Sequence, residues 1–81
     1  LINNVSITGN IIEGITMMAK GIEKRGSAQD RNGLVIAMNI IKNANIGIDA
    51  TEGDGKYKNS VVANNSYINV ATPEQIDNFE P

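Results

Sequence analysis

Short stretches of alternating apolar and polar residues recur along the chain, and each runs into an asparagine. Val5 and Ile7 precede Asn10 by five and three positions, and Leu34 and Ile36 precede Asn39 identically. Ser60 and Val62 fill the same slots before Asn65, so one of the two has turned polar there. Period-two alternation over four or five residues predicts half-buried strands, because successive strand side chains point to opposite faces. A second short apolar element follows each asparagine: Ile11-Ile12, Ile40-Ile41, then Ser66-Tyr67-Ile68. A third surrounds Gly21-Ile22 and Gly47-Ile48.

The spacing of these landmarks turns a list of strands into a repeat. Asn10 to Asn39 is 29 residues, Asn39 to Asn65 is 26, and Gly21 to Gly47 is again 26. Each glycine precedes the next asparagine by 18 residues, so the first repeat holds its three additional residues between Asn10 and Gly21. Two landmarks in one register predict stacked supersecondary units, each of three short strands joined by corners. An asparagine suits such a corner, since it tolerates the left-handed backbone region better than most residues. Asn10, Asn39 and Asn65, stacked ~4.8 Å apart, can also hydrogen-bond side chain to side chain as a structural ladder. Ile11 to Ile22 keeps a competing helical reading, because methionine and alanine favour helix.

The pattern resembles the right-handed parallel β-helix of the pectate-lyase-like superfamily. The resemblance is carried by Val5-Ser6-Ile7-Thr8-Gly9-Asn10-Ile11-Ile12, by residues 34–41, and by Gly21-Ile22 and Gly47-Ile48. It implies an all-β fold, a right-handed single-stranded parallel β-helix of about two and a half coils over residues 1–72. It further implies that the glycine-isoleucine strand lies in a first sheet and the segment before the asparagine in a second. The asparagine then marks the turn into a third. Ser60, Ser66 and Tyr67 depart from the pattern, which leaves either Tyr67 or Ile68 to point inward. The polar stretches 24–31 and 50–58 become loops on one edge, lying side by side. Residues 73–81, with Pro73, Pro81, Glu74, Asp77 and Glu80, read as an acidic C-terminal tail or cap.

Composition removes several functions. With no cysteine and no histidine there is no disulfide framework, no His-based triad and no ordinary zinc site. A net charge of −2 argues against nucleic acid as a partner. No apolar run approaches the ~20 residues that span a bilayer as a helix, so no membrane partner is expected. The chain opens on Leu1, which points to a piece of a longer protein. Stacked repeats need neighbours to bury their ends, supplied by further coils or by copies of the chain, a homotrimer being one natural arrangement.

Candidate chemistry concentrates away from the asparagines. Glu23 and Asp49 occupy one slot of successive repeats and alternate with Ile22 and Ile48, which places two stacked carboxylates on an outward face. Such a pair can serve as catalytic acid and base in glycoside cleavage; the bland alternative is a solvated face with Lys24 and Arg25 as counter-charges. Lys24, Arg25 and Arg31, beside Asp30, can bind an acidic sugar or a phosphate, and Tyr57, in a projecting loop, can stack on a sugar ring. The Asp49–Gly55 stretch has oxygen ligands but not the order of an EF-hand, so no metal and no cofactor is expected.

Phage tail spikes and tail fibres, like secreted polysaccharide lyases and hydrolases, use β-helices of this superfamily on surface polysaccharide. The resemblance therefore implies an extracellular or virion-surface protein that recognises, and in an enzyme degrades, bacterial surface polysaccharide. The rival class is a purely structural spacer or trimerisation segment of a virion or cell-surface protein. A secreted polysaccharide lyase or hydrolase domain is the third.

Overall fold

A computed structural model describes residues 2–16, 18–24, 28–51 and 53–80. The chain is all-β, with eleven strands in three parallel sheets and no helix among the described residues. The first sheet holds β1 (Ile2–Asn3), β5 (Arg31–Asn32), β8 (Tyr57–Lys58) and β11 (Phe79–Glu80) in that order. The second holds β2 (Ser6–Thr8), β6 (Val35–Ala37) and β9 (Val61–Ala63). In the third, β7 (Ile40–Ala50) lies between β10 (Ser66–Ile76) on one side and β3 (Ile11–Glu13) and β4 (Lys20–Glu23) on the other. The chain visits the sheets in the same order on each circuit, and each circuit lays its strands beside those of the one before.

Register explains the repeat lengths. Ile11 pairs with Ile40, whereas Lys20 pairs with Ile46. The step between partners therefore shortens between Glu13 and Lys20, where the first repeat holds its three additional residues and the described positions 14–16, 18 and 19 belong to neither helix nor strand. The helical reading of Ile11 to Ile22 fails because Ile12 and Ile22 pair with Ile41 and Ile48 of one strand. β7 is longer than anticipated: the strand after the asparagine and the glycine-isoleucine strand belong to one sheet, not two. The left-handed residues Asn43 and Asn69 lie inside the two long strands, whose paired residues keep one 26-residue offset on either side of them.

A strand also appears where loops were expected. Arg31-Asn32 and Tyr57-Lys58 form the middle of the first sheet. Their polarity concealed them, since Arg31 and Tyr57 lie in the interior at 3% and 1% exposure. The flanking turns do lie side by side: Asp30 accepts from the Lys56 backbone N–H at 2.9 Å and meets the Lys58 ammonium at 3.1 Å. The anticipated boundary at residues 72 and 73 falls inside β10, which runs on to Ile76. β11 then pairs with β8, so the acidic tail continues the circuit.

The core is a set of stacked columns. Ile36, Ile41, Ala44 and Ile48 are wholly buried in the middle circuit, with Ile22, Leu34 and Ala50 beside them. Tyr67 pairs with Ile41 and packs on this cluster, while Ile68 is 52% exposed, which settles the third repeat in favour of Tyr67. Ser60, in the Val5/Leu34 slot, is buried but satisfied, accepting from the Leu34 N–H at 3.1 Å and donating to the Lys58 carbonyl at 2.9 Å. Gly47 recurs as a landmark for a packing reason: a Cβ there would stand 2.7 Å from the Tyr67 ring and 2.5 Å from the Pro73 carbonyl.

The asparagine column runs beside this core, with Asn39 buried, Asn65 half-buried and Asn10 exposed. The Asn39 Oδ1 accepts from both the Asn10 N–H and the Asn10 Nδ2, at 3.0 and 3.1 Å. The Asn65 Oδ1 accepts from the same two groups of Asn39, each at 3.0 Å. The second Nδ2 hydrogen of Asn39 reaches the Ile7 carbonyl at 3.0 Å, and that of Asn65 the Ile36 carbonyl at 3.1 Å. These asparagines are not the left-handed residues of the corner. That conformation falls one position earlier, on Gly9, Met38 and Asn64, at φ 70°, 59° and 57°. The asparagine is needed for its side chain, and its neighbour makes the bend.

Two substitutions separate those tasks. Asn39→Asp replaces a double donor with a carboxylate facing the Ile7 carbonyl and the Asn65 Oδ1, and should cost about 3 kcal/mol or more. Asn65→Asp, on the outer circuit, should cost less. Met38 is 69% exposed and gains nothing from its strained backbone, so Met38→Asn should stabilise by about 0.5–1 kcal/mol. Urea unfolding midpoints of the three variants check both statements.

Candidate functional site

The third sheet places Glu23 beside Asp49, in direct register between β4 and β7. One ammonium joins them: the Lys20 Nζ is 2.9 Å from the Glu23 Oε2 and 2.7 Å from the Asp49 Oδ2. Thr51 donates its hydroxyl to the other Asp49 oxygen at 2.8 Å. The stacking anticipated for these acids is present, but the outward pair of free carboxylates is not. Glu23 is exposed, whereas Asp49 is 6% exposed and enclosed by Lys20 and Thr51. The hydrogen bond from Lys20 holds the Asp49 carboxyl below its usual range, aided by that from Thr51. The same bond, with the one to Glu23, pushes Lys20 above its ordinary 10.5. Asp49 therefore stays ionised at neutral pH, which suits an ion pair and not the protonated acid of a glycoside-cleaving couple.

The binding residues anticipated around this pair are dispersed. Lys24 is half-buried, and its backbone N–H donates to the Asp49 carbonyl at 2.8 Å. Arg25 lies outside the described residues. Arg31 and Tyr57 are interior partners, not surface ones: the guanidinium sits over the Tyr57 ring at 4.5 Å, and its Nη1 donates to the Gly55 carbonyl at 3.4 Å. Burial of both explains why neither presents itself to a sugar, since a desolvated guanidinium gains most from an aromatic face and a carbonyl. The Tyr57 hydroxyl is buried without a hydrogen-bond partner among the described residues, and its pKa is raised chiefly by burial. Among the described residues no three acidic side chains gather as a metal site.

The structure assembles a different polar feature at the bend in the third sheet. Asn69 donates its amide to the Asn43 Oδ1 at 2.9 Å, and Asn43 donates to the Glu13 Oε2 at 2.8 Å. With Gly14, Ile15 and Thr16, these three side chains line an open cleft of about 530 Å³. Ile15 is 98% exposed at its rim. A Cβ on Gly14 would collide with the Asn43 carbonyl oxygen, so glycine is required where the turn leaves the sheet. The signal was present in the sequence: Asn43 and Asn69 repeat at the same 26-residue interval as Asn39 and Asn65.

No protein-family description, curated protein or solved structure matches this chain.

The ion triad contributes to the pH response through Asp49. Because the folded-state pKa of Asp49 is depressed, its contribution is complete above the unfolded value near 4 and is lost as the pH falls below it. The wild-type chain should lose more stability than Asp49→Asn between about pH 5 and pH 3. Denaturant midpoints at the two ends of that interval give the comparison, and equal losses would exclude Asp49 as the titrating group.

Proposed function

We propose that the chain forms consecutive coils of a right-handed parallel β-helix, and that its work is structural, as a stacking segment of an extracellular or virion-surface protein. One observation carries this reading: the strands of the middle circuit are flanked on both sides by their counterparts, and the core columns there are completely buried. The polar side chains follow the same logic. Those that repeat are consumed by one another, in the ladder of Asn10, Asn39 and Asn65 and in the row from Asn69 to Glu13. Strongly ordered, mutually satisfied amides make a rigid stack, and a spacer needs rigidity along its axis more than a reactive group.

A second reading, recognition of a bacterial surface polysaccharide, is favoured by the cleft beside Glu13, Asn43 and Asn69. Its fixed amides and carboxylate, next to exposed Ile15, offer the mixed polar and apolar lining that small-ligand sites use. One experiment separates the two. A glycan array and a pull-down on isolated bacterial cell walls should retain nothing if the coils are structural. Retention that disappears in Asn43→Ala and Glu13→Gln, with the β-type far-UV circular dichroism intact, would replace the structural reading by the second.

A further inference from the structure

Glycine follows asparagine at one place in the chain, Asn32-Gly33, where β5 ends. Such a pair is chemically labile, because a glycine nitrogen meets no side-chain hindrance when it turns back onto the asparagine Cγ. Packing nevertheless calls for both residues. A Cβ on Gly33 would stand 2.6 Å from the Asn4 Oδ1, and Gly33 adopts φ 75°. The Asn32 Oδ1 accepts from the Asn59 Nδ2 at 2.7 Å. The first sheet therefore carries a reactive dipeptide in its interior strands.

The same contacts hold the reacting atoms apart. The Asn32 carbonyl accepts from the Asn4 N–H at 2.9 Å, and the Gly33 N–H donates to the Lys58 carbonyl at 3.0 Å. The peptide unit between them is thus gripped by the circuit before and the circuit after. Asn32 is also in register with Asn3 on one side and Lys58 on the other. Ring closure requires the Gly33 nitrogen to leave Lys58, lose its proton and approach Cγ. That rotation breaks the bond to Lys58 and draws the Asn32 side chain away from Asn59.

We propose that Asn32 is a fold-gated deamidation site, covalently stable while the circuits are stacked and modified when the first sheet opens. In the open chain hydroxide takes the Gly33 amide proton and the nitrogen bonds to Asn32 Cγ. Nδ2 takes a proton from water and leaves as ammonia, and a five-membered succinimide remains. Water then opens the ring at either carbonyl, giving aspartate or isoaspartate. Isoaspartate routes the main chain through the former side chain and lengthens it by one methylene. Arg31 and Gly33 can then no longer both keep their places beside Tyr57 and Lys58, so an opening event is recorded irreversibly.

Timed incubation of the 81-residue chain at mildly alkaline pH, in buffer and in concentrated urea, tests this by peptide mapping with mass spectrometry. The folded chain should deamidate at Asn32 roughly a hundredfold more slowly than the unfolded one, since only its open fraction reacts. Asn59→Gly keeps a residue at ease with φ 50° and removes the amide that holds the Asn32 oxygen. It should raise the folded-state rate by about threefold or more and leave the rate in urea unchanged. Equal rates in the two states, faster loss of ammonia from another asparagine in urea, or a folded-state rate indifferent to Asn59→Gly would each overturn the proposal.

Discussion

A primary amide carries two donors and two acceptor lone pairs, and the column of Asn10, Asn39 and Asn65 uses them in a way that few other side chains can. One oxygen takes two N–H groups from the rung before, and one nitrogen reaches both the rung after and a main-chain carbonyl. At 1% exposure, an Asn39 left unsatisfied would be expensive, so the side chain demands a neighbour above and below at one strand spacing. The register of the strands that flank the ladder agrees with that demand. Once Asn39 is set against Asn10 and Asn65, Ile7, Ile36 and Val62 fall into one column and Ile12, Ile41 and Tyr67 into another.

The corners make the column possible. Asn4, Asn43, Asn59, Asn64, Asn69 and Asn78 all adopt positive φ, as do Gly9 and Gly33. At these positions the chain turns through the left-handed region, which glycine and asparagine tolerate best. The abundance of asparagine thus reflects two separate requirements, a permissive backbone at the bends and an amide side chain inside. Met38 meets the first without being suited to it, which marks, among the described residues, the one corner where a residue other than asparagine or glycine takes the left-handed conformation.

Charge is handled by enclosure as much as by exposure. Arg31 is covered by an aromatic ring and a carbonyl, and Asp49 by an ammonium and a hydroxyl. Each charged group sits where a strand of one circuit meets its counterpart in the next, so each doubles as a cross-strand contact. The residues with the most reactive character are in this way committed to holding circuits together. The exposed polar row at the bend of the third sheet, from Asn69 through Asn43 to Glu13, is where side-chain chemistry remains open to solvent.

Period and spacing were enough to determine that the chain is built of short stacked strands, that Asn10, Asn39 and Asn65 share a column, and that Glu23 stands beside Asp49. Those features follow from local alternation and from a repeat length, both written along one dimension. Tertiary structure alone decided the rest. Arg31 and Tyr57 look like loop residues because polarity predicts solvent, yet each is buried by the other and by the circuits around them. Asp49 looks outward-facing by alternation, yet Lys20, three residues before Glu23, folds over it. Asn43 and Asn69 repeat at the interval of Asn39 and Asn65, but only the fold joins them to Glu13 in one row. Burial of a charge depends on partners brought from other circuits, and no pattern read along the chain contains them.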